Sequence, residues 1–146
     1  MFASLSSHST GAPAVDARED FARARRAQLA VRAVRWVSRR RRCPNHPRTL
    51  PATAAGPARA PRRVIIALDA IVGTVDPSPH FDARFRPASE HLRARWERVA
   101  LAHRRGVALS PIAVVEGPEG YYVVDGRHRV SVARAAGRRE IEAWVR

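Results

Sequence analysis

A proline-rich segment near the middle of the chain places the strongest constraint on the fold. Residues 43–62 contain five prolines and almost no apolar periodicity. Because proline lacks a backbone N–H and is excluded from helix interiors and central strands, such a segment is typical of an extended linker. The sequence therefore predicts a basic N-terminal part, a linker over residues 43–63 and a compact unit over residues 64–146.

The positive charge is concentrated in the first part of the chain. The 146 residues include 27 arginines, no lysine and 13 acidic residues, which gives a net charge of +14. Residues 1–63 hold 14 arginines and 3 acids, net +11, whereas residues 64–146 hold 13 arginines and 10 acids, net +3. Arginine without lysine, together with abundant alanine, proline and glycine, indicates a GC-rich bacterial coding sequence. The excess charge favours polyanionic partners, but the choice of arginine alone is no evidence for phosphate recognition.

The start of the chain carries no recognisable targeting signal. Residues 1–14 have neither the basic region nor the apolar core that a secretory signal needs, and residues 1–15 are predicted to be a disordered tail. No apolar run approaches the roughly 18 residues of a membrane span. The sequence therefore predicts a cytoplasmic protein with no membrane partner. The single cysteine, Cys43, excludes an internal disulfide framework and a zinc site with several cysteine ligands.

A basic amphipathic helix is predicted over residues 16–42. Asp16 and Glu19 have the spacing of a capping box at its start. The apolar residues that recur at helical spacing are Phe21, Ala24, Ala27, Val31, Val34 and Val37. The opposite face is mostly arginine and ends in the run Arg39, Arg40, Arg41 and Arg42. We expect this run to bind nucleic acid without sequence specificity; the alternative is a solvated basic face on a helix that packs against its own domain.

Apolar and turn patterns after residue 63 predict a small α+β unit. Strands are predicted at residues 64–68, 112–115, 121–124 and 141–145. A helix capped by Ser89 and ended by Gly106 is predicted to bury Trp96, and a shorter helix ends at Ala136. Residues 69–87 are predicted to form an irregular loop. The expected fold is therefore a mixed sheet with helices and a modest core of its own.

The most informative motif is the loop Asp125–Arg129, with the sequence DGRHR. The strand predicted at residues 121–124 is followed by a turn at Gly126, and the turn opens directly into a helix. That geometry directs free backbone N–H groups and the positive end of the helix at one point, which suits a phosphate group. Arg127, His128 and Arg129 would surround the same point. A polar strand-to-helix turn without a ligand is the alternative.

Further residues complete the predicted site. Asp125 is a candidate ligand for Mg²⁺ or for a hydroxyl group. Thr74, Arg84 and Arg86, from the irregular loop, are candidates to close over the phosphates. The full predicted nucleotide-binding or phosphate-binding set is Asp125, Gly126, Arg127, His128, Arg129, Thr74, Arg84 and Arg86.

Residues 64–146 resemble the ParB/sulfiredoxin superfamily. The positions that match its motifs are Gly126, His128, Arg129, Ala133, Gly137, Ile141, Ala143 and Val145, with a first strand and loop entry at residues 66–72. The resemblance implies a small mixed-sheet domain that binds a nucleotide, CTP or ATP with Mg²⁺, at the loop Asp125–Arg129. It also implies a DNA-associated regulatory role of the kind found in chromosome partitioning, with a homodimer as a further possibility.

Two departures from the family limit the expected activity. Arg127 occupies the position of the ParB acid and of the catalytic cysteine of sulfiredoxins, so reduction of a sulfinic acid is not expected. No helix-turn-helix pattern follows before Arg146, so sequence-specific recognition of a centromere-like DNA site is not expected either.

Three functions remain open on this reasoning. The favoured one is a nucleotide-binding regulatory module with nonspecific affinity for nucleic acid. The second is an enzyme, a phosphotransferase or a nuclease, that uses the same loop with Asp76 or Glu116 as a candidate general base. The third is a DNA-associating protein in which the helix over residues 16–42 carries all of the affinity.

Overall fold

The computed structural model describes residues 9–37, 45–51, 54, 57 and 59–146 as an α+β fold. Its helices are α1 (Pro13–Val37), α2 (Arg93–Arg104) and α3 (Arg127–Ala135). Its strands are β1 (Arg48–Thr49), β2 (Arg62–Ala67), β3 (Ile71–Thr74), β4 (Ile112–Gly117), β5 (Gly120–Asp125) and β6 (Glu140–Val145). The predicted fold class is confirmed. None of the helices in these ranges has the length and apolar character of a membrane-spanning segment.

One mixed sheet joins the six strands in the order β1-β3-β5-β4-β6-β2. The strands β4 and β5 form the antiparallel hairpin that the sequence predicts, and β6 lies parallel to β4 and antiparallel to β2. Helix α3 covers one face, where Val130 and Ala133 pack with Ile112 and Val123 of the sheet. Because α3 begins as soon as β5 ends, the loop between them lies at one end of the sheet.

Two strands lie where the sequence predicts none. β3 falls within residues 69–87, the predicted irregular loop, and β1 falls within the predicted linker at residues 43–63. Gly73 of β3 lets the two backbones come close, since a Cβ at this position would lie 2.0 Å from the carbonyl oxygen of Arg48. Both strands are short and are held by pairing with residues distant in sequence, so neither produces a local pattern.

Helix α1 begins at Pro13 rather than at the predicted Asp16, which lies inside its first turns. Proline suits the first helical position because its missing N–H would have no partner there. The Asp16 carboxylate accepts hydrogen bonds from the backbone N and the Oγ1 of Thr10, at 3.0 and 2.7 Å. These bonds hold the pKa of Asp16 below its ordinary value. The predicted continuation of the helix to residue 42 lies outside the described residues.

The first half of α1 packs against α2. Phe21 is fully buried, and the centre of its ring lies 5.5 Å from that of Trp96 in an edge-to-face contact. Trp96 is buried, as the sequence predicts. Arg104 of α2 donates hydrogen bonds to the Asp20 carboxylate, at 2.7 and 2.9 Å. The N-terminal helix is therefore attached to the core by apolar contact and by a charged pair.

The second half of α1 departs from its predicted pattern. The residues predicted to continue the buried face include Val34 and Val37, yet their exposed fractions are 66% and 75%. The buried face of α1 contains Phe21 and Ala24 and ends at Gln28. An apolar residue at the right spacing is therefore buried only along the part of α1 that lies against α2.

Replacing Phe21 tests this attachment. We expect Phe21→Ala to lower the free energy of unfolding by about 3–5 kcal/mol, because it empties a closed part of the core. Leu29→Ala, on the same helix at a position that is 45% exposed, should change it by no more than about 0.5 kcal/mol. Urea denaturation of the two variants measures the difference. Equal small losses would show that α1 is not attached in solution.

Candidate phosphate-binding site

The turn between β5 and α3 has the conformation that a phosphate-binding loop needs. Gly126 is the residue before the first turn of α3, with φ of 107°. A Cβ at this position would lie 2.5 Å from Cγ2 of Ile112, so the turn requires glycine for its dihedral angle and for its packing. The first N–H groups of a helix have no partner within it, and they share the positive end of the helix dipole. In α3 these groups belong to Arg127, His128 and Arg129.

Arg129 is directed toward the protein. Its guanidinium donates to the Ser110 carbonyl oxygen, the Ser110 Oγ and the Pro111 carbonyl oxygen at 2.5, 2.9 and 2.8 Å. It also donates to the Asp125 carboxylate at 2.8 Å. The sequence predicts that Arg129 belongs to the phosphate site, but three of these acceptors already contact Nη1 and the fourth contacts Nη2. Its described contacts instead tie the loop to the segment before β4.

Within the loop itself, Arg127 is held by fewer described contacts than Arg129. Its side chain is partly buried, and Nη2 lies 3.8 Å from a carboxylate oxygen of Asp76. Its Nε is buried and has no hydrogen-bond partner among the described residues. Thr74 is fully buried beside this position, and its Oγ1 donates to the Asp76 carbonyl oxygen at 2.6 Å. The Thr74 hydroxyl therefore supports the backbone next to the loop.

His128 is held as a neutral side chain. Its ring stands edge-to-face against Phe81, with the ring centres 5.3 Å apart, and its Nε2 is buried without a partner among the described residues. Burial, together with the positive charges of Arg95 and Arg127, lowers the pKa of His128 to about 4, and Asp125 opposes this shift. The sequence predicts that His128 lies at the phosphate site, and at neutral pH this geometry offers the site a neutral hydrogen-bonding ring nitrogen.

The structure does not bring Arg84 and Arg86 to the loop. Both line two cavities beside α1, of about 820 and 730 Å³. Within the described part of the chain, no hydrogen bond or ion pair joins either residue to residues 125–129. Asp82 organises this segment instead, because its carboxylate accepts from the backbone N of both residues and, at 2.7 Å, from Arg86 Nε.

The acidic residues at the loop are suited to contact a metal ion that is already bound to the phosphate groups of a ligand. Asp125 and Asp76 have side chains that are 69% and 76% exposed, and one Asp125 oxygen already accepts from Arg129. Among the described residues, no three His, Cys, Asp or Glu side chains lie together as a metal site. Mg²⁺ commonly uses one or two carboxylates together with water and phosphate oxygens, and these acids fit that role.

Two other predicted groups remain to be placed, the proposed nucleic-acid contact and the second candidate base. Arg39, Arg40, Arg41 and Arg42 lie outside the described residues. Glu116, a candidate general base, pairs with Tyr121 at the far end of the hairpin, whereas Asp125 pairs with Ala113. The Glu116 carboxylate lies 3.9 Å from Arg62. Of the two candidate bases, only Asp76 is beside the loop.

Comparison with known proteins gives a distant structural similarity. Neither a protein-family model nor a curated protein sequence matches this chain. Among solved structures, the chain is similar to sulfiredoxin from Arabidopsis thaliana, at 23% sequence identity and a TM-score of 0.43. The match covers 59% of this chain and 85% of the sulfiredoxin chain. Membership of the ParB/sulfiredoxin superfamily stays a prediction from the sequence.

The state of His128 can be tested through stability. Because its pKa is about 4 in the fold and ordinarily 6.5, the unfolded state takes up a proton first as the pH falls. The free energy of unfolding should therefore decrease as the pH is lowered from 6.5 toward 4, and His128→Gln should reduce that decrease. Urea denaturation across this range measures it. The exposed His91→Gln serves as the control, and an identical pH dependence in all three proteins would contradict the assignment.

Proposed function

We propose that the N-terminal end of α3 binds the phosphate groups of a nucleotide. The observation that supports this most directly is the position of the Arg127 side chain, which projects from the first turn of α3. Its Nε is buried without a described partner, next to backbone N–H groups that the helix itself leaves unpaired. A phosphate oxygen is an acceptor for both kinds of donor, and the helix dipole favours its negative charge.

The proposed ligand is a nucleoside triphosphate with Mg²⁺. The resemblance of the sequence to ParB proteins suggests CTP or ATP. When bound, Mg²⁺ would neutralise part of the phosphate charge, and the exposed carboxylate of Asp125 is the group that would hold it. Because Gly126 has no side chain, the turn leaves room for a phosphate to approach the N–H groups.

The side chains of the loop have different roles in this proposal. Arg127 donates to the phosphates, and neutral His128 offers one ring nitrogen as a hydrogen-bond donor or acceptor. Arg129 is a positioning residue: by holding Ser110, Pro111 and Asp125 it fixes the turn that presents the N–H groups. Arg84 and Arg86 are not assigned to this ligand.

A nucleotide-regulated protein that associates with nucleic acid is the wider role that we propose. The net charge of +14 supports nonspecific affinity for a polyanion, with Arg39–Arg42 as the suggested contact. A cytoplasmic location, a homodimer and a part in chromosome partitioning belong to the same proposal and rest on the sequence alone.

Calorimetric titration of CTP, ATP and ADP, each with Mg²⁺, tests the nucleotide site. We expect one nucleotide to bind, and Arg127→Gln to weaken it by about 10- to 100-fold, which corresponds to the loss of one or two charge-assisted hydrogen bonds. Arg127 is the better residue to replace, because Arg129→Ala would also disturb the turn.

Arg105→Gln is the matched control for this titration. Arg105 is an exposed residue after α2, so its replacement removes the same charge away from the loop. It should leave the dissociation constant unchanged. Binding of no nucleotide by the wild-type protein, or equal weakening by both replacements, would overturn the proposed function.

A phosphotransferase or nucleotide hydrolase is a second candidate function. The observation that favours it is Asp76, an exposed carboxylate beside Arg127 that could accept a proton from an attacking hydroxyl or water. The phosphoryl group would pass to water or to an acceptor hydroxyl and leave the nucleoside diphosphate. Formation of that diphosphate, abolished in Asp76→Asn while nucleotide binding persists, would establish this function. Nucleotide binding without turnover would instead support the noncatalytic nucleotide-binding module.

A further inference from the structure

We propose that the cavity between α1 and α3 is a second anion site, which takes the pyrophosphate-type group of a small molecule. The cavity has a volume of about 730 Å³ and is lined by α1 on one side, by α3 on the other and by the turn at Leu68–Ile71. A volume of this size fits a small organic ligand. Helix α1 lies outside the region that resembles ParB proteins, so this site goes beyond the proposed function.

The cavity carries an excess of positive charge. Six arginines line it, against the two acids Asp20 and Asp69. The arginines are Arg23, Arg84, Arg86, Arg134, Arg138 and Arg139. Asp20 is already paired with Arg23 and Arg104, and Arg86 is paired with Asp82. The other four arginines form no ion pair within the described part of the chain, so four cations face one unpaired acid, Asp69, around one space.

Arg134 is the most deeply buried of these cations. One of its terminal nitrogens donates to the carbonyl oxygens of Leu68 and Ile71, at 2.6 and 3.0 Å, and its guanidinium carbon lies 5.4 Å from the centre of the Phe85 ring. Its Nε is buried and has no partner among the described residues. Burial lowers the pKa of this guanidinium. The carboxylates of Asp69 and Asp82 oppose this shift but form no ion pair with Arg134. A largely buried cation without a direct ion pair is costly, and an anion in the cavity would reduce that cost.

The number and arrangement of the arginines favour a ligand with two or more phosphate groups. Arg84 reaches the cavity from the turn before α2, Arg134 from α3, and Arg138 and Arg139 from the segment before β6. Guanidinium groups from three segments can each contact a different phosphate oxygen. The remaining lining includes Ala24, Ala27 and Leu68, which offer an apolar wall for an organic part.

This site is separate from the loop at the start of α3. Arg134 follows Arg127 by two turns of the helix, which is about 10 Å along its axis. Arg84 and Arg86, which the sequence assigns to the phosphate loop, line this cavity instead. Replacements can therefore affect one site and leave the other intact.

Titration of sodium pyrophosphate into full-length variants tests the proposal. The Arg127→Gln background removes the loop site, so binding that persists there reports on the cavity. We expect this binding to weaken by about tenfold or more when Arg84→Gln and Arg138→Gln are added. Neither of these two side chains makes a described hydrogen bond or ion pair, so the variant should fold, and its melting temperature checks this. Arg134 is left in place because it supports two backbone carbonyl groups.

The control adds Arg98→Gln and Arg105→Gln, two exposed arginines on and after α2, to the same background. Weakening by the cavity pair alone supports the proposal. Equal weakening by both pairs, or no binding in the background, overturns it. Binding of a single-stranded oligonucleotide but not pyrophosphate, with the same dependence on Arg84 and Arg138, also overturns it and identifies the cavity as part of a nucleic-acid groove. A variant that carries Arg84→Gln and Arg138→Gln but retains Arg127 is also titrated with nucleotide. This titration measures binding at the loop site separately.

Discussion

The buried indole of Trp96 connects the three helices, and both candidate sites depend on it. Its ring packs against Phe21 of α1, while its Nε1 donates to the Oγ of Ser131 in α3 at 2.8 Å. A buried indole N–H without a partner would be costly, so this bond fixes which face of α3 is turned toward α2. The phosphate loop is the first turn of α3, and the arginine-lined cavity is the space between α3 and α1. Trp96 therefore determines the geometry of both.

The sequence predicts those parts of the fold that local patterns determine. The hairpin of β4 and β5 has an apolar alternation and a glycine-proline turn, and α3 begins where Gly126 takes a positive φ. The strands β1 and β3 were not predictable in this way. They exist because Gly73 permits close pairing between segments that are far apart in the chain. Helix α1 begins before the predicted Asp16, whose carboxylate accepts a hydrogen bond from Thr10 outside the helix.

The candidate site shows the same difference between features set by local sequence and features set by distant contacts. A glycine turn that opens into a helix is a local feature, and its residues do lie together. The direction of each side chain depends on segments that are distant in sequence. Ser110 accepts hydrogen bonds from the Arg129 guanidinium, and Phe81 packs edge-to-face against the His128 ring. No spacing in the sequence connects these pairs. The placement of Arg84 and Arg86 follows from the hydrogen bonds that their backbone N–H groups donate to the Asp82 carboxylate. Composition alone does not reveal these contacts.

The strand β1 has a consequence for how the protein can be divided. Its backbone covers the edge of β3, and Arg62 and Arg63 place charge on the opposite edge strand β2. A fragment that starts at residue 64 would lose α1, β1 and both arginines at the start of β2. It would then present an open edge on β3, and such edges pair readily between molecules. The N-terminal part thus protects the sheet from self-association as well as contributing to the core.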